Sequence, residues 1–292
     1  MRRLSATLTL TLFLFSSAVA QEKTDREKAN LLGPVRSVRS ETIEYKDATL
    51  KQRVGTGESG SVTYDERGNE IERNTSLIQG SFVSREVRTY DATGKLIGSV
   101  SSTDDGAHER RVYSYEGGKL IRMINYDADG KVDSEQFNSY GKDGRLLEEK
   151  YGDGKSAFGK TVFKYDQIGN LSEAAFYLPN GTKSIAVMGA CVGTHRVTYT
   201  YNDKRKPIKI AHYDPDGEVK WGWEYSYDSK GMLTTEVVQY LSSRQTNAYV
   251  YEYDSRGNWI KKITTIDFGF KSAPHIAPRN TASVTSREIT YY

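Results

Sequence analysis

Cysteine is almost absent from this chain: Cys191 is the only one in 292 residues. A lone cysteine forms no intramolecular disulfide, so no disulfide framework holds the fold. Its thiol would need a neighbouring base or cation to become reactive. His195 stands four positions on, and a small buried apolar residue is the plainer role for Cys191. Histidine is scarce as well: His108, His195, His212 and His275 form no H-x-H or H-x-x-x-H pair of the kind that grips a metal. There is no G-x-S-x-G elbow, phosphate-cradling glycine loop or C-x-x-C. Plentiful carboxylates sit mostly at turns, and none pairs with another as an evident acid and base. These absences point away from an enzyme, and no metal or cofactor is expected.

Long hydrophobic runs and an excess of one charge are missing too. The apolar stretch Leu4 to Phe15 follows Arg2 and Arg3 and precedes Ala18-Val19-Ala20, an A-x-A cleavage pattern before Gln21. This reads as a secretory signal peptide over residues 1–20, too short for a membrane span. No later run of 18 apolar residues occurs, so no membrane span is expected after signal cleavage. Without Arg2 and Arg3 the chain keeps 39 basic residues against 38 acidic ones. They alternate along every segment, without the clustered basic patch that nucleic acid requires.

What is abundant is tyrosine, 21 against 9 Phe and 3 Trp, together with 26 Gly. Mean hydropathy is low, at −0.65. Tyrosine packs as an aromatic but can keep its hydroxyl in water, which suits a thin, half-buried structure. The tyrosines are periodic. Tyr64-Asp65-Glu66-Arg67-Gly68-Asn69 recurs as Tyr90-Asp91-Ala92-Thr93-Gly94-Lys95, and again from Tyr165, Tyr227 and Tyr253, with looser copies at Tyr115, Tyr140 and Tyr201. The steps are 26, 25, 25, 25, 36, 26 and 26 residues, one period of about 25 with an insertion near 178–196. A second turn falls midway in several periods, as in Tyr126-Asp127-Ala128-Asp129-Gly130 and Tyr213-Asp214-Pro215-Asp216-Gly217. Each period thus holds two strands and two turns. In the turns Asp or Asn caps the backbone, and Gly takes the position that needs φ > 0. Gly68, Gly94, Gly169, Gly231 and Gly257 are the structural turn glycines. Asp127 and Asp214 resemble the start of a calcium loop, but the twelfth positions are Asn138 and Tyr225 rather than Glu; the turn explains them.

The segments between turns alternate with period two, as in Val197-Thr198-Tyr199-Thr200-Tyr201 and Tyr249-Val250-Tyr251-Glu252-Tyr253. The fold class is all-β: tandem antiparallel hairpins forming an elongated, curled or barrel-like sheet. Residues 21–33 are a lead in which Glu22 to Leu32 can form a short helix, 182–190 can form another helical turn, and 34–292 are one repeat domain with a long loop over 266–282.

The Tyr-Asp-x-x-Gly-Asn/Lys-hydrophobic pattern over about residues 60–260 resembles the YD repeat of RHS proteins. Tyr140-Gly141 and Tyr201-Asn202 lack its Asp, and Tyr115-Glu116-Gly117-Gly118 is one residue short. The resemblance implies hairpins added edge to edge into a curling sheet, which in large members forms a shell around a C-terminal toxin. This chain shows no self-cleavage segment and no toxin segment after its repeats. About 17 strands at ~4.8 Å span only about 80 Å, too little to wrap a folded domain, so toxin delivery is not carried over. Some YD-repeat proteins are linked to carbohydrate binding.

One stretch could bind a ligand. Trp221, Trp223, Tyr225 and Tyr227 share one strand face, with Glu224 on the other; Tyr249, Tyr251 and Tyr253 match them one period later, and Val197, Tyr199 and Tyr201 one period earlier. Trp221, Trp223, Tyr225, Tyr249 and Tyr251 could stack sugar rings. The competing and expected role is core packing across strands. The sequence reads as an exported, non-enzymatic structural or interaction module with a protein or glycan partner at the cell envelope: periplasmic, outer-surface or secreted. A glycan-binding protein and a periplasmic immunity or antitoxin-like repeat protein are the alternatives. Mass spectrometry of the extracytoplasmic protein should find Gln21 at its N-terminus; an intact Met1 on a cytoplasmic protein would contradict export.

Overall fold

The computed structural model describes residues 23–77, 82–104, 106, 108–184, 194–240, 243–270 and 279–292. After a four-residue helix α1 (Asp25–Lys28) come β1 (Val35–Tyr45), β2 (Arg53–Tyr64), β3 (Glu70–Leu77), β4 (Phe82–Tyr90), β5 (Leu96–Thr103) and β6 (His108–Glu116). They continue as β7 (Lys119–Tyr126), β8 (Val132–Tyr140), β9 (Leu146–Gly152), β10 (Ala157–Tyr165), β11 (Leu171–Tyr177) and β12 (Arg196–Tyr201). The last six are β13 (Pro207–Tyr213), β14 (Val219–Tyr227), β15 (Leu233–Tyr240), β16 (Ser243–Tyr253), β17 (Trp259–Phe270) and β18 (Arg279–Tyr291). Each strand pairs antiparallel with the next, and β1 pairs with β18 from Val35↔Tyr291 to Tyr45↔Ala282. The sheet is therefore a closed up-and-down barrel of 18 strands. Closure removes both sheet edges and their unpaired backbone groups.

Because one period is two strands, every YD turn falls after an even-numbered strand, and all YD turns lie on one rim. The other turns form the opposite rim. A YD turn is built by its Asp. In the 165–171 turn the Asp166 N–H donates to the Asn170 carbonyl at 2.8 Å, and Asp166 Oδ1 accepts from the Asn170 N–H at 2.8 Å. Gly169 N–H returns to the Asp166 carbonyl at 3.1 Å, with φ +91° at Gly169. Gly68, Gly94, Gly231 and Gly257 have the same sign of φ. The turn puts a bulge into the hairpin, with the register shifting between Lys164 and Tyr165.

The bulged hairpins diverge from their neighbours at this rim. The β9–β10 ladder ends at Val162↔Glu148, leaving the Leu146 carbonyl without a strand partner. The Tyr165 hydroxyl donates to that carbonyl at 2.8 Å. The same stitch recurs from Tyr115 to Leu96, Tyr140 to Leu120 and Tyr227 to Pro207, at 2.7–2.9 Å. A buried carbonyl must find a donor, so the repeat needs tyrosine here; phenylalanine would leave the group unpaired. A cation from the preceding turn covers each ring. Lys95 lies over Tyr115, Lys119 over Tyr140, Arg145 over Tyr165 and Lys206 over Tyr227, at 5.2–5.8 Å from the ring centres. After the insertion the series falters: the Tyr201 hydroxyl is buried with no partner.

The two faces of the wall differ in burial. Ser99, Thr161, Val197, Ile210, His212, Val238 and Asn247 are buried on one face, while Val83, Val100, Phe137 and Val250 stand exposed on the other. Side chains crowd on the concave side of a cylinder and spread on the convex side, so the first face is the lumen. All substantial contacts between elements are between neighbouring strands. Closing 18 such strands gives a wall about 35 Å across, wide enough for an aqueous lumen.

The hydrophobic cluster around buried residues sits at the YD rim. Leu31, Val35, Val38 and Tyr64 pack with Val62, Ile289 and Tyr291, and Val35 is 0% exposed. The N-terminal lead crosses this rim. Asp25 Oδ2 accepts from the Glu70 N–H at 3.0 Å and lies 2.8 Å from the Tyr90 hydroxyl. Leu32 exchanges two hydrogen bonds with the Asn258 amide at 2.7 and 2.9 Å, and Asn258 also donates to the Tyr291 hydroxyl at 2.9 Å. The lead thus ties the first YD turn to the last.

Two expectations need correction. The 266–282 segment is not one long loop: β17 runs to Phe270 and β18 starts at Arg279, because Ile266↔Thr281 and Phe268↔Arg279 extend the ladder beyond the sequence's turn signals. The lead's helix is only Asp25–Lys28, set by the Thr24–Glu27 capping box. Residues 182–184 are not helical; 1–22 and 185–193, with the signal peptide and Cys191, lie outside the described residues. Tyr165→Phe should lower the unfolding free energy by about 1 kcal/mol, the usual worth of one hydrogen bond. Gly169→Val should cost about 1–2 kcal/mol, because Gly169 holds φ +91°; the Cβ's close approach to the flexible end of Arg145 adds little. Denaturant melts check both; a Gly169→Val chain as stable as the parent would contradict the turn.

Candidate functional site

Antiparallel register brings the five aromatic candidates to one stretch of the luminal wall. Trp221, Trp223 and Tyr225 project from β14, Tyr249 and Tyr251 from β16, and β15 lies between them. Glu236 pairs with Tyr225 on one side and Asn247 on the other. Its Oε1 accepts from Asn247 Nδ2 at 2.7 Å and lies 3.5 Å from the Tyr249 hydroxyl. All five rings are half-buried. They are neither closed core nor free surface: their edges are held by neighbours and their remaining area faces the lumen. Glu224 points out of the barrel, 3.7 Å from Lys209.

The geometry is tightest at the tryptophans. His212 on β13 stacks on Trp221, ring centres 3.8 Å apart and planes at 16°. Trp223 meets Trp221 edge to face at 4.5 Å and His212 at 5.3 Å. Burial drives the tyrosine hydroxyls toward their neutral form: it raises Tyr225 and Tyr249 well above the usual phenol range and Tyr251 to about 12. In ordinary buffers they are neutral donors and acceptors beside flat apolar rings. That combination matches a saccharide, whose C–H faces pack on rings while its hydroxyls need polar partners.

Sequence reasoning missed His212 and Glu236. Their strands carry the signal: Ile208, Ile210 and His212 alternate, as do Thr234, Glu236 and Val238. Only the pairing of β13 and β15 with β14 makes them neighbours of the tryptophans. The other histidines build no site with them. His195 Nδ1 lies 2.8 Å from the Phe176 carbonyl, His108 is exposed, and His275 is outside the described residues. The carboxylates of the calcium-like turns are engaged with backbone: Asp127 Oδ1 accepts from Lys131, and Asp214 Oδ1 from Asp216 and Glu218.

His212 is 3% exposed, and burial lowers its pKa from 6.5 to about 4. Its neutral form is the one the fold accommodates. The associated stability is complete above pH 6.5 and is lost as pH falls towards 4, reaching roughly 3 kcal/mol. Urea melts at pH 7 and pH 5 should differ by about 2 kcal/mol from this group, and His212→Phe should remove that part of the difference. An unchanged pH dependence in His212→Phe would contradict the burial.

No family model matches the chain, and no curated protein matches it in sequence. Among solved structures it is similar to a porin-like protein from Bacteroides uniformis, at 12% identity and TM-score 0.45, over 89% of this chain and 99% of that one. A porin-like protein from Bacteroides vulgatus aligns at 12% identity and TM-score 0.24, over 88% and 98%. A TcdB2–TccC3 structure aligns at 14% identity and TM-score 0.34, over 82% of this chain. The chain spans 15% of the length of that TcdB2–TccC3 chain. These are distant likenesses; the closed 18-strand barrel itself rests on the register of its strands.

Proposed function

We propose that the protein is an exported, non-enzymatic binding barrel of the cell envelope, surrounded by water, that takes a glycan on the luminal wall of Trp221, Trp223, Tyr225, Tyr249 and Tyr251. The observation that carries the reading is the half-buried state of these rings on the concave face. Rings used only as core would be closed over by an opposing layer. Here Glu236 and Asn247 stand among them and offer polar partners to a sugar's hydroxyls.

The water-surrounded reading rests on the convex face. Mid-strand ion pairs cross it: Lys160–Glu148 at 2.6 Å, Arg122–Glu135 and Lys164–Glu173 at 2.7 Å, and Arg85–Glu72 at 3.0 Å. A lipid-facing barrel carries an apolar band there, and each Arg or Lys at the bilayer midplane costs about 2–4 kcal/mol. The purified protein should stay soluble without detergent and fail to insert into liposomes; detergent-dependent solubility would contradict this. A glycan array should give hits that weaken at least tenfold in Trp221→Ala/Trp223→Ala. An array without hits would remove the glycan.

A further inference from the structure

A second group of residues lies on the luminal wall near the N-terminal lead and belongs to none of the contacts above. Lys262 on β17 and Arg287 on β18 both project to the lumen, as the pairings Tyr251↔Lys262 and Lys262↔Thr285 show. The Arg287 guanidinium lies 3.4 Å above the centre of the Trp259 ring, and the Lys262 ammonium lies 5.6 Å from the same ring and 5.7 Å from that of Tyr249. Two other luminal cations are paired: Arg73 reaches Glu70 at 2.6 Å, and Arg88 reaches Glu70 and Glu86 at 3.2 Å. Among the described residues, neither Lys262 nor Arg287 has a carboxylate within ion-pair distance. Glu236 and Glu58 act on Lys262 only from farther off. Arg287 Nε is shielded from water and has no hydrogen-bond partner.

Two adjacent cations with no counter-ion, one with an unpartnered buried N–H, are costly unless something anionic completes them. The cost is visible in their acidity. Burial lowers Arg287 to about 10, and burial together with Arg287 lowers Lys262. The aromatic surface is continuous with the proposed glycan wall. Trp259 meets Tyr251 edge-on at 6.0 Å, and Tyr251 belongs to that wall. Ser40 stands opposite Arg287 on β1 with a hydroxyl.

We propose that Lys262, Arg287 and Trp259 form the anion-binding end of the luminal site, which selects saccharides carrying an acidic group. The sugar ring packs on Tyr251, beside the Trp259 ring that carries the Arg287 guanidinium, while Arg287 and Lys262 take the carboxylate or sulfate. Arginine's planar fork suits a bidentate hold on such a group, and lysine adds a point charge. This inference rests on the glycan reading, and the test separates the two.

Tryptophan fluorescence titration would use two matched pairs of probes: trigalacturonate against its methyl ester, and 3′-sialyllactose against lactose. At least one acidic probe should bind tenfold or more tightly than its uncharged partner, weakening as salt rises. Arg287→Gln and Lys262→Gln should each weaken the acidic probe far more than its uncharged partner, and the double variant should bind the two alike. Lys209→Gln, on the convex face, removes one charge and should change nothing. Should Arg287→Gln fail to fold, Arg287→Lys retains the charge and should weaken the acidic probe without erasing the preference. Equal binding of acid and uncharged partner would overturn the anionic selectivity and leave the glycan reading standing. Failure of all four probes to bind would overturn both.

Discussion

The structure depends on a hydroxyl that reaches across a gap. Each YD turn needs a bulge, and the bulge parts neighbouring hairpins at the rim. Between β9 and β10 the ladder stops at Val162↔Glu148, and the tyrosine hydroxyl of Tyr165 supplies what Leu146 has lost. One residue thus joins three constraints: its backbone ends a strand, its ring supports the cation of the preceding turn, and its oxygen satisfies a carbonyl. Turn, bulge and stitch together let a thin sheet with few buried apolar side chains hold its shape. The weak point lies at Tyr201, whose hydroxyl finds no acceptor after the insertion.

Much of this was legible because it repeats. The spacing of Tyr64, Tyr90 and Tyr165 and the Asp-x-x-Gly that follows each gave strands, turns and their order, and the 25-residue period put every YD turn on the same side. Closure was not legible. It rests on Ser37 meeting Thr290 and Leu32 meeting Asn258, residues more than 220 positions apart. Nothing in the local pattern around Val35 to Tyr45 names its partner. The 266–282 segment misled for a related reason: Pro274 and Pro278 advertise a loop, while pairing with β18 carries β17 to Phe270. The aromatic wall was half legible. Alternation placed Trp221, Trp223 and Tyr225 on one face, but only closure decides that the face is concave, and only register adds His212 and Glu236.

The division of labour between the faces follows from the cylinder. On the convex side Lys and Arg meet Glu across strands as ion pairs, each of which contributes little to stability where it is solvent-exposed. On the concave side the same alternation gathers rings, amides and a few unneutralised cations. Arg287 stands next to Ile289 along the luminal face of β18 and so borders the cluster of Leu31, Val35 and Val38 on which Ile289 packs. The proposed anion-binding residue Arg287 and the closure share strand β18.

Closure is therefore the central claim, and it can be read directly. Ser37 Oγ and Thr290 Oγ1 lie 2.6 Å apart across the β1–β18 seam. In a Cys191→Ser background, Ser37→Cys/Thr290→Cys should oxidise to an intramolecular disulfide, seen as one linked peptide after proteolysis under non-reducing conditions. An open curled sheet would hold these residues on opposite edges, and two free thiols, or only disulfide-linked dimers, would contradict the barrel.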